Sequence, residues 1–183
     1  KAEAKLEEAG RLLGIPVFNI PYHQKLLGEE CEAYMGLADI HQYHPSADAF
    51  RDADLVLMVG GRLDNQMNFG NPPLIPKSAK LICVNGSDEE INFNRSADEL
   101  LLSDPGAFLD ELTKNFVPSE WATEKDWIEK NIKARQEWVE STLQHLDQET
   151  NKVNWSNGVI HPLKLSLEVQ SAMNDGDWLV FDG

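Results

Sequence analysis

Two short stretches of the chain, "LVLMV" (Leu55 to Val59) and "LICV" (Leu81 to Val84), are apolar at every position. A strand with one face in water alternates polar and apolar residues. A run without alternation fits a strand covered on both faces, as in a parallel sheet lying between helices. Helix-like segments separate these runs from one another and from further strand candidates. Strands alternating with helices at this spacing predict an α/β fold with a doubly wound, mostly parallel sheet.

Read along the chain, Lys1 to Leu13 is a helix with Ala9, Leu12 and Leu13 on one face and Gly14 as its stop. "IPVFNI" (Ile15 to Ile20) is a strand, and a loop follows through Pro21 and His23. A helical turn or two is expected in "GEECEAYMG". "HPSADAFRDA" is a helix with Ser46 as its N-cap and Ala47, Phe50 and Ala53 sharing a face. After the Leu55 to Val59 strand comes a loop rich in Gly, Asn and Pro, "DNQMNFGNPPLIPKS", and then the strand Ala79 to Val84. Ser87 opens a short helix, "ADELLLS" is a strand, and Asp104 caps a helix with Pro105 at its first position.

The pattern changes at Pro118. Trp127, Ile128, Ile132, Val139, Leu143 and Leu146 recur near helical spacing on a charged background, which predicts a long connector helix lying against the domain. "NKVNWSNG" breaks it, "IHPLKLSLEVQSAM" forms a new helix closed by Asn174 and Gly176, and "DWLVF" is a new strand ending at Asp182 and Gly183. The expected domains are residues 1–117 for the central α/β part, 118–157 for connector and linker, and 158–183 for the start of another domain.

Ligands of open parallel sheets bind beyond the carboxyl ends of the strands. Gly60 and Gly61, with Arg62 and Asp64 behind them, stand at one such end; Asn85 and Gly86 stand at the next, and Ser103 and Asp104 at a third. Each alone is explained by a turn, and the three together fit a ligand-binding ancestry equally well. The chain has neither a G-x-G-x-x-G nor a G-x-x-x-x-G-K-[ST] motif, so no phosphate cradle is assigned. His41 and His44 lie three apart, with Cys31 ten residues before His41, but Pro45 follows at once and no metal site is read there. His161, before Pro162, reads as a helix-start residue. No nucleophile arrangement emerges, and no residue is assigned a catalytic role.

Charge narrows the partners. At a net −15 the chain would repel phosphate backbones, which excludes nucleic acid and anionic membrane surfaces. Cys31 and Cys83 have no partners at disulfide or zinc spacing, and no apolar run approaches the ~20 residues that a bilayer requires. The first residues, "KAEAKLEEAG", lack a start Met and form an acidic amphipathic helix unlike a signal peptide. The expectation is a cytoplasmic piece of a longer protein.

Four segments then follow in a telling order: "GIPVFNI", "FRDADLVLMVGGRLDNQ", "IPKSAKLICVNGSDEEINFN" and "ELLLSDPGAFLDEL". Together the set resembles the central domain of thiamine-diphosphate-dependent enzymes, in which an A-D-L-V-L-x-x-G-x-R-x-D core precedes an A-K-x-I-x-V-D-x-D strand. "NFGNPP" (Asn68 to Pro73) is similar to the oxalyl-CoA decarboxylase and 2-hydroxyacyl-CoA lyase branch, and the general pattern is shared with acetolactate synthase. The final stretch, from "IHPLKL" to the end, resembles the start of the family's C-terminal, diphosphate-binding domain.

The resemblance implies a Rossmann-like fold of the DHS-like NAD/FAD-binding type, truncated before its first strand. It also implies a three-domain lyase or synthase acting on 2-keto acids or acyl-CoA substrates by decarboxylation, C–C cleavage or carboligation. Thiamine diphosphate and Mg2+ would sit between an N-terminal domain supplying a Glu and a C-terminal domain supplying a G-D-G motif, neither of which is in this chain. Its partners would be those two domains of the same protein, in a homo-oligomer. The chain itself is expected to be inactive, either structural or nucleotide-binding; a non-catalytic nucleotide-binding or regulatory module is the alternative reading.

In this family the central domain holds FAD in acetolactate synthase and ADP in oxalyl-CoA decarboxylase. The resemblance therefore marks Gly60, Gly61, Arg62, Asp64, Asn85, Ser103 and Asp104 as the remains of a nucleotide site. Where the family has V-D-x-D this chain has Val84, Asn85, Gly86 and Ser87, and Asp39 stands where a second Gly is common after Gly36. Both acidic positions of the second strand end are thus lost, which weakens the expected hold on FAD or ADP.

Overall fold

The computed structural model of the chain describes residues 2–20, 27–28, 31–39, 44–121, 125–152 and 160–180. In order these form α1 (Ala2–Leu13), β1 (Val17–Asn19), β2 (Tyr34–Leu37), α2 (His44–Asp52), β3 (Leu55–Val59) and a 3-10 segment, Asn65–Gly70. There follow β4 (Lys80–Asn85), α3 (Asp88–Ile91), β5 (Glu99–Leu102), α4 (Pro105–Lys114), a 3-10 turn at Pro118–Glu120, α5 (Lys125–Lys152) and α6 (Pro162–Ala172). Two compact units result, Lys1–Gln136 and Glu137–Gly183.

The first unit is the α/β fold that the uninterrupted apolar runs predict. Strands β3, β4 and β5 form a parallel sheet in that order, with Leu55 opposite Lys80, Val59 opposite Val84, Ile82 opposite Glu99 and Asn85 opposite Leu102. One face packs Val56, Met58, Leu81 and Cys83 against Phe50 of α2, Ile91 of α3 and the fully buried loop residues Leu74 and Ile75. On the other side Ala9 and Leu13 of α1 meet Leu109 of α4, with Val59 packed beside them. Cover on both sides is why β3 needs no polar position. Strands β1 and β2 form a second parallel pair, whose Phe18, with the neighbouring Ile20, packs on the main core.

Local chemistry sets several boundaries. Asp104 accepts from the Ala107 amide at 2.8 Å, and Pro105 opens α4 at a position where its missing N–H is not needed. His161 Nδ1 accepts from the Leu163 amide at 3.2 Å and so starts α6. Ser87 stands at the N-cap of α3, but its hydroxyl makes no capping bond; its backbone carbonyl accepts from Glu90 and Ile91 instead.

Three expectations are corrected. The segment "GEECEAYMG" ends in strand β2 rather than helical turns. A turn closes where the Tyr34 amide donates to Cys31 O at 3.0 Å, and Tyr34 and Met35 are then buried along the edge of β1. That edge supplies the bonds that decide the conformation: Val17 donates to Ala33 O and Ala38 to Asn19 O, both at 2.7 Å. Ser46 lies inside α2, not at its cap; it is fully buried and its hydroxyl donates to Asp39 O at 2.8 Å. Ala49 and Phe50 are the buried face of that helix, with Ala47 and Ala53 half-buried.

The third correction is "DWLVF". Residues 177–180 form no strand, and Trp178 and Val180 stand 92% and 88% exposed. Apolar β-formers become a strand only against a neighbouring edge, and none among the described residues pairs with them. Pro21, His23, His41, Asp182 and Gly183 lie outside the described residues, so the expectations that rest on them do too.

The long helix α5 begins at Lys125, after the turn at Pro118. Within the first unit its Lys130 pairs with Asp52, and Arg135 donates to Tyr34 O at 2.6 Å. Val139 and Leu143, further along, are exposed. In the second unit α6 has no buried residue, and Lys164 pairs with Glu168 one turn on. No described helix is long and apolar enough to cross a membrane.

Candidate functional site

The three strand ends singled out in the sequence meet at the carboxyl edge of the β3-β4-β5 sheet. Gly60 follows β3 with φ +73°, a left-handed conformation that costs any residue with a Cβ, and its amide donates to Val84 O at 2.7 Å. A Cβ at Gly60 would lie 3.2 Å from Cγ of Pro105, the first residue of α4. At Gly61 a Cβ would stand only 2.2 Å from Cδ1 of Ile20, the residue after β1. The apolar run therefore stops on Gly-Gly for two separate reasons: a turn at Gly60, and the close approach of another part of the same chain at Gly61.

Asn85, at the end of β4, is 8% exposed and has both ends of its amide engaged. Nδ2 donates to Gly61 O at 3.1 Å and Oδ1 accepts from the Ser87 amide at 3.0 Å. An Asp at this position could accept from Ser87 but could not donate to Gly61. The side chain thus ties the end of β3 to the start of α3. Ser103 joins the same edge through its amide, which donates to Asn85 O at 2.9 Å, while its hydroxyl donates to Asp104 O. Asp104 is occupied as the cap of α4.

The rim is built from Arg62 and Asp64. Arg62 is half-exposed, reaches Asp64 at 3.4 Å and Glu90 at 3.3 Å, and lies over the ring of Phe93, 5.6 Å from its centroid. Asp64 also accepts from the Gln66 amide at 3.0 Å and so caps the 3-10 segment. The acids Asp64, Asp88, Glu89, Glu90 and Asp104 follow the three strand ends and outnumber the cations beside them, the Arg62 guanidinium and the Lys5 ammonium that donates to Gly106 O at 3.4 Å. Such a rim repels an anionic phosphate chain.

All seven predicted positions thus gather at one edge of one sheet. Their polar atoms bond to one another and to the backbone, and the space before Gly61 is taken by Ile20. As they stand these residues do not fit a nucleotide, which would have to displace Ile20 and compete for Asn85. Among the described residues no three His, Cys, Asp or Glu side chains are grouped to hold a metal ion.

Two residues that matter to this edge carry no sequence signal. Ile20 was legible only as the end of a strand. Arg95 donates to the carbonyls of Gly70, Ile75, Pro76 and Ala79, at 2.9 to 3.4 Å, and so fastens the loop between β3 and β4. The neighbouring Asn94 donates to Leu63 O. In that loop Asn68 and Phe69 hold positive φ, 48° and 54°, and Asn68 Nδ2 donates to Asn71 O and Pro72 O. Burial pushes the Cys83 thiol up, and the Arg95 guanidinium draws it partly back.

Residues 1–112 match the family described as thiamine pyrophosphate enzyme, central domain. The chain is 24% identical over 185 residues to 2-hydroxyacyl-CoA lyase 2 of Caenorhabditis elegans, covering 98% of this chain and 27% of the relative. It is 31% identical over 98 residues to 2-hydroxyacyl-CoA lyase of Arabidopsis thaliana, covering 52% of this chain and 15% of the relative. The matched regions thus span about a quarter or less of the length of these relatives.

Proposed function

This chain belongs to the thiamine pyrophosphate enzyme family, whose central domain it carries, and on that premise we propose that it is the middle portion of a thiamine-diphosphate-dependent lyase cleaving a carbon–carbon bond in a 2-hydroxyacyl-CoA. The observation that carries the reading is the family match over residues 1–112, joined to two relatives that bear the name 2-hydroxyacyl-CoA lyase. "NFGNPP", at Asn68 to Pro73, supports the same branch.

In this reading the chain is scaffold rather than catalyst. The strand-end polar atoms are spent on internal bonds, which supports a scaffold role in which the diphosphate and its Mg2+ are held elsewhere in the longer protein. No chemical step is assigned to them. The partners are N- and C-terminal domains of the same protein, which supply the cofactor site, in a homo-oligomer. Cys31 and Cys83, both buried and unpaired, suit a reducing, cytoplasmic setting.

The test gives the 183-residue chain, and the longer protein containing it, thiamine diphosphate, Mg2+ and a 2-hydroxyacyl-CoA. The longer protein should consume the thioester while the isolated chain leaves it intact. Turnover by the isolated chain contradicts the scaffold role. A longer protein that spares 2-hydroxyacyl-CoA but decarboxylates pyruvate or oxalyl-CoA contradicts the substrate class.

A further inference from the structure

We propose that Asn85 is a latent deamidation site, protected while the end of β4 is closed and converted irreversibly to aspartate or isoaspartate when it opens. Nothing in this chemistry depends on the lyase reading. Asn85 is followed by Gly86; the chain's other Asn-Gly pair, Asn157 and Gly158, lies outside the described residues. An asparagine before glycine is open to attack on its own side-chain carbon, because glycine has no Cβ to obstruct the attacking amide nitrogen. Gly60 is required by a turn and Gly61 by a close approach. Gly86 answers to neither constraint: its φ is not left-handed, and a Cβ there would meet only Ser103 O, at 4.0 Å. Among the described residues nothing in the fold calls for glycine at this position, and its presence leaves Asn85 with an unobstructed neighbour.

The step needs only water. Gly86 N bonds to Cγ of Asn85, the Cγ–Nδ2 bond breaks, and Nδ2 leaves as ammonia with the proton lost by Gly86. Water then opens the cyclic imide at one carbonyl or the other, giving aspartate or isoaspartate. The closed edge opposes each stage. Ring closure requires Asn85 to leave the extended strand backbone, which its pairing with Leu102 and the bond from Ser103 N to Asn85 O at 2.9 Å hold in place. It also requires the side-chain amide to turn, and both ends of that amide are tied, Nδ2 to Gly61 O and Oδ1 to the Ser87 amide. Burial of Asn85 keeps water from the carbon that it must reach. Once made, the change cannot reverse. Neither product can donate to Gly61 O at neutral pH, so the tie between β3 and β4 is lost. Isoaspartate further adds a methylene to the main chain where β4 meets Ser103.

The experiment holds the 183-residue chain at mildly alkaline pH, with and without denaturing guanidinium chloride, beside a synthetic peptide of residues 84–88. Digestion and mass spectrometry read conversion at Asn85 separately from Asn157. Conversion in the folded chain should be slower than in the peptide by about tenfold or more, as at a site exposed only by local opening, and should match the peptide in denaturant. Gly61→Ala, whose Cβ meets Ile20, disturbs the acceptor of the Nδ2 bond and should speed conversion in the folded chain severalfold; adding Ile20→Ala should restore the slow rate. Gly86→Ala should suppress conversion in denaturant while leaving the unfolding midpoint near that of the native chain. Chain converted at Asn85, separated by its added negative charge, should have a folding constant about tenfold lower. Conversion as fast in the folded chain as in the peptide overturns the proposal. So does a converted chain of native stability, or an unchanged rate in a folded Gly61→Ala chain.

Discussion

Gly60 and Gly61 sit side by side but are constrained differently, and substitution separates the two constraints. Gly60→Ala forces a Cβ into a left-handed conformation and should cost about 1–2 kcal/mol. Gly61→Ala drives its Cβ into Ile20 and should cost about 1–3 kcal/mol, as overpacking does. Ile20→Ala should relieve the second penalty and leave the first, as read by urea denaturation of the two double mutants. Asn85→Asp keeps the bond from Ser87 but sets a carboxylate oxygen against Gly61 O, where Nδ2 now donates. A loss of about 1–3 kcal/mol is expected at neutral pH. The penalty should shrink as pH falls through the carboxylate range, because a protonated oxygen can donate again. Arg95→Lys keeps the charge but loses the planar fork that serves four carbonyls. It should cost about 2 kcal/mol in the same assay.

At the scale of elements, α1 and α4 are tied by Lys5, which pairs with Asp110 and donates to Gly106 O. The hydrogen bond from Lys5 holds the Asp110 carboxyl below its usual range. A lowered carboxyl contributes stability above its unfolded-state pKa and loses it as pH falls through the folded value. The advantage of the native chain over Asp110→Asn should therefore be present at neutral pH and disappear in acid, as thermal melts across that range would show. Strands β3 and β4 and the start of α4 were legible in the sequence because the information is local: an unbroken apolar run, or an Asp-Pro pair at a helix start. β2 was not, because its conformation depends on the edge of β1 and not on its own residues. The segment at 177–180 reads as a strand for the converse reason, since its composition is right but no partner is present among the described residues. Amide exchange should accordingly be slow at Leu57 and Val59 and close to that of an unstructured chain at Leu179 and Val180. Equal protection at both places would mean that the tail is paired after all.

For the whole molecule, family and fold class could be read from segments in order, while the state of the strand-end site could not. The sequence places Gly60, Gly61, Asn85 and Ser103 at one edge, but nothing local tells that Ile20 fills the space before Gly61 or that both ends of the Asn85 amide are engaged. The Asn85–Ser87 bond spans two positions, but the Asn85–Gly61 bond spans 24 and the approach of Ile20 to Gly61 spans 41, and it is these long-range contacts that decide whether the edge is open or closed. With its carboxyl edge closed by its own side chains and rimmed by acids, the chain by itself should be a scaffold without a nucleotide. Calorimetric titration of the 183-residue chain with FAD and with ADP tests this most directly. Weak binding or none is the predicted result for both ligands, and for Asn85→Asp as well, while sub-micromolar affinity of the unmodified chain for either ligand would contradict the account.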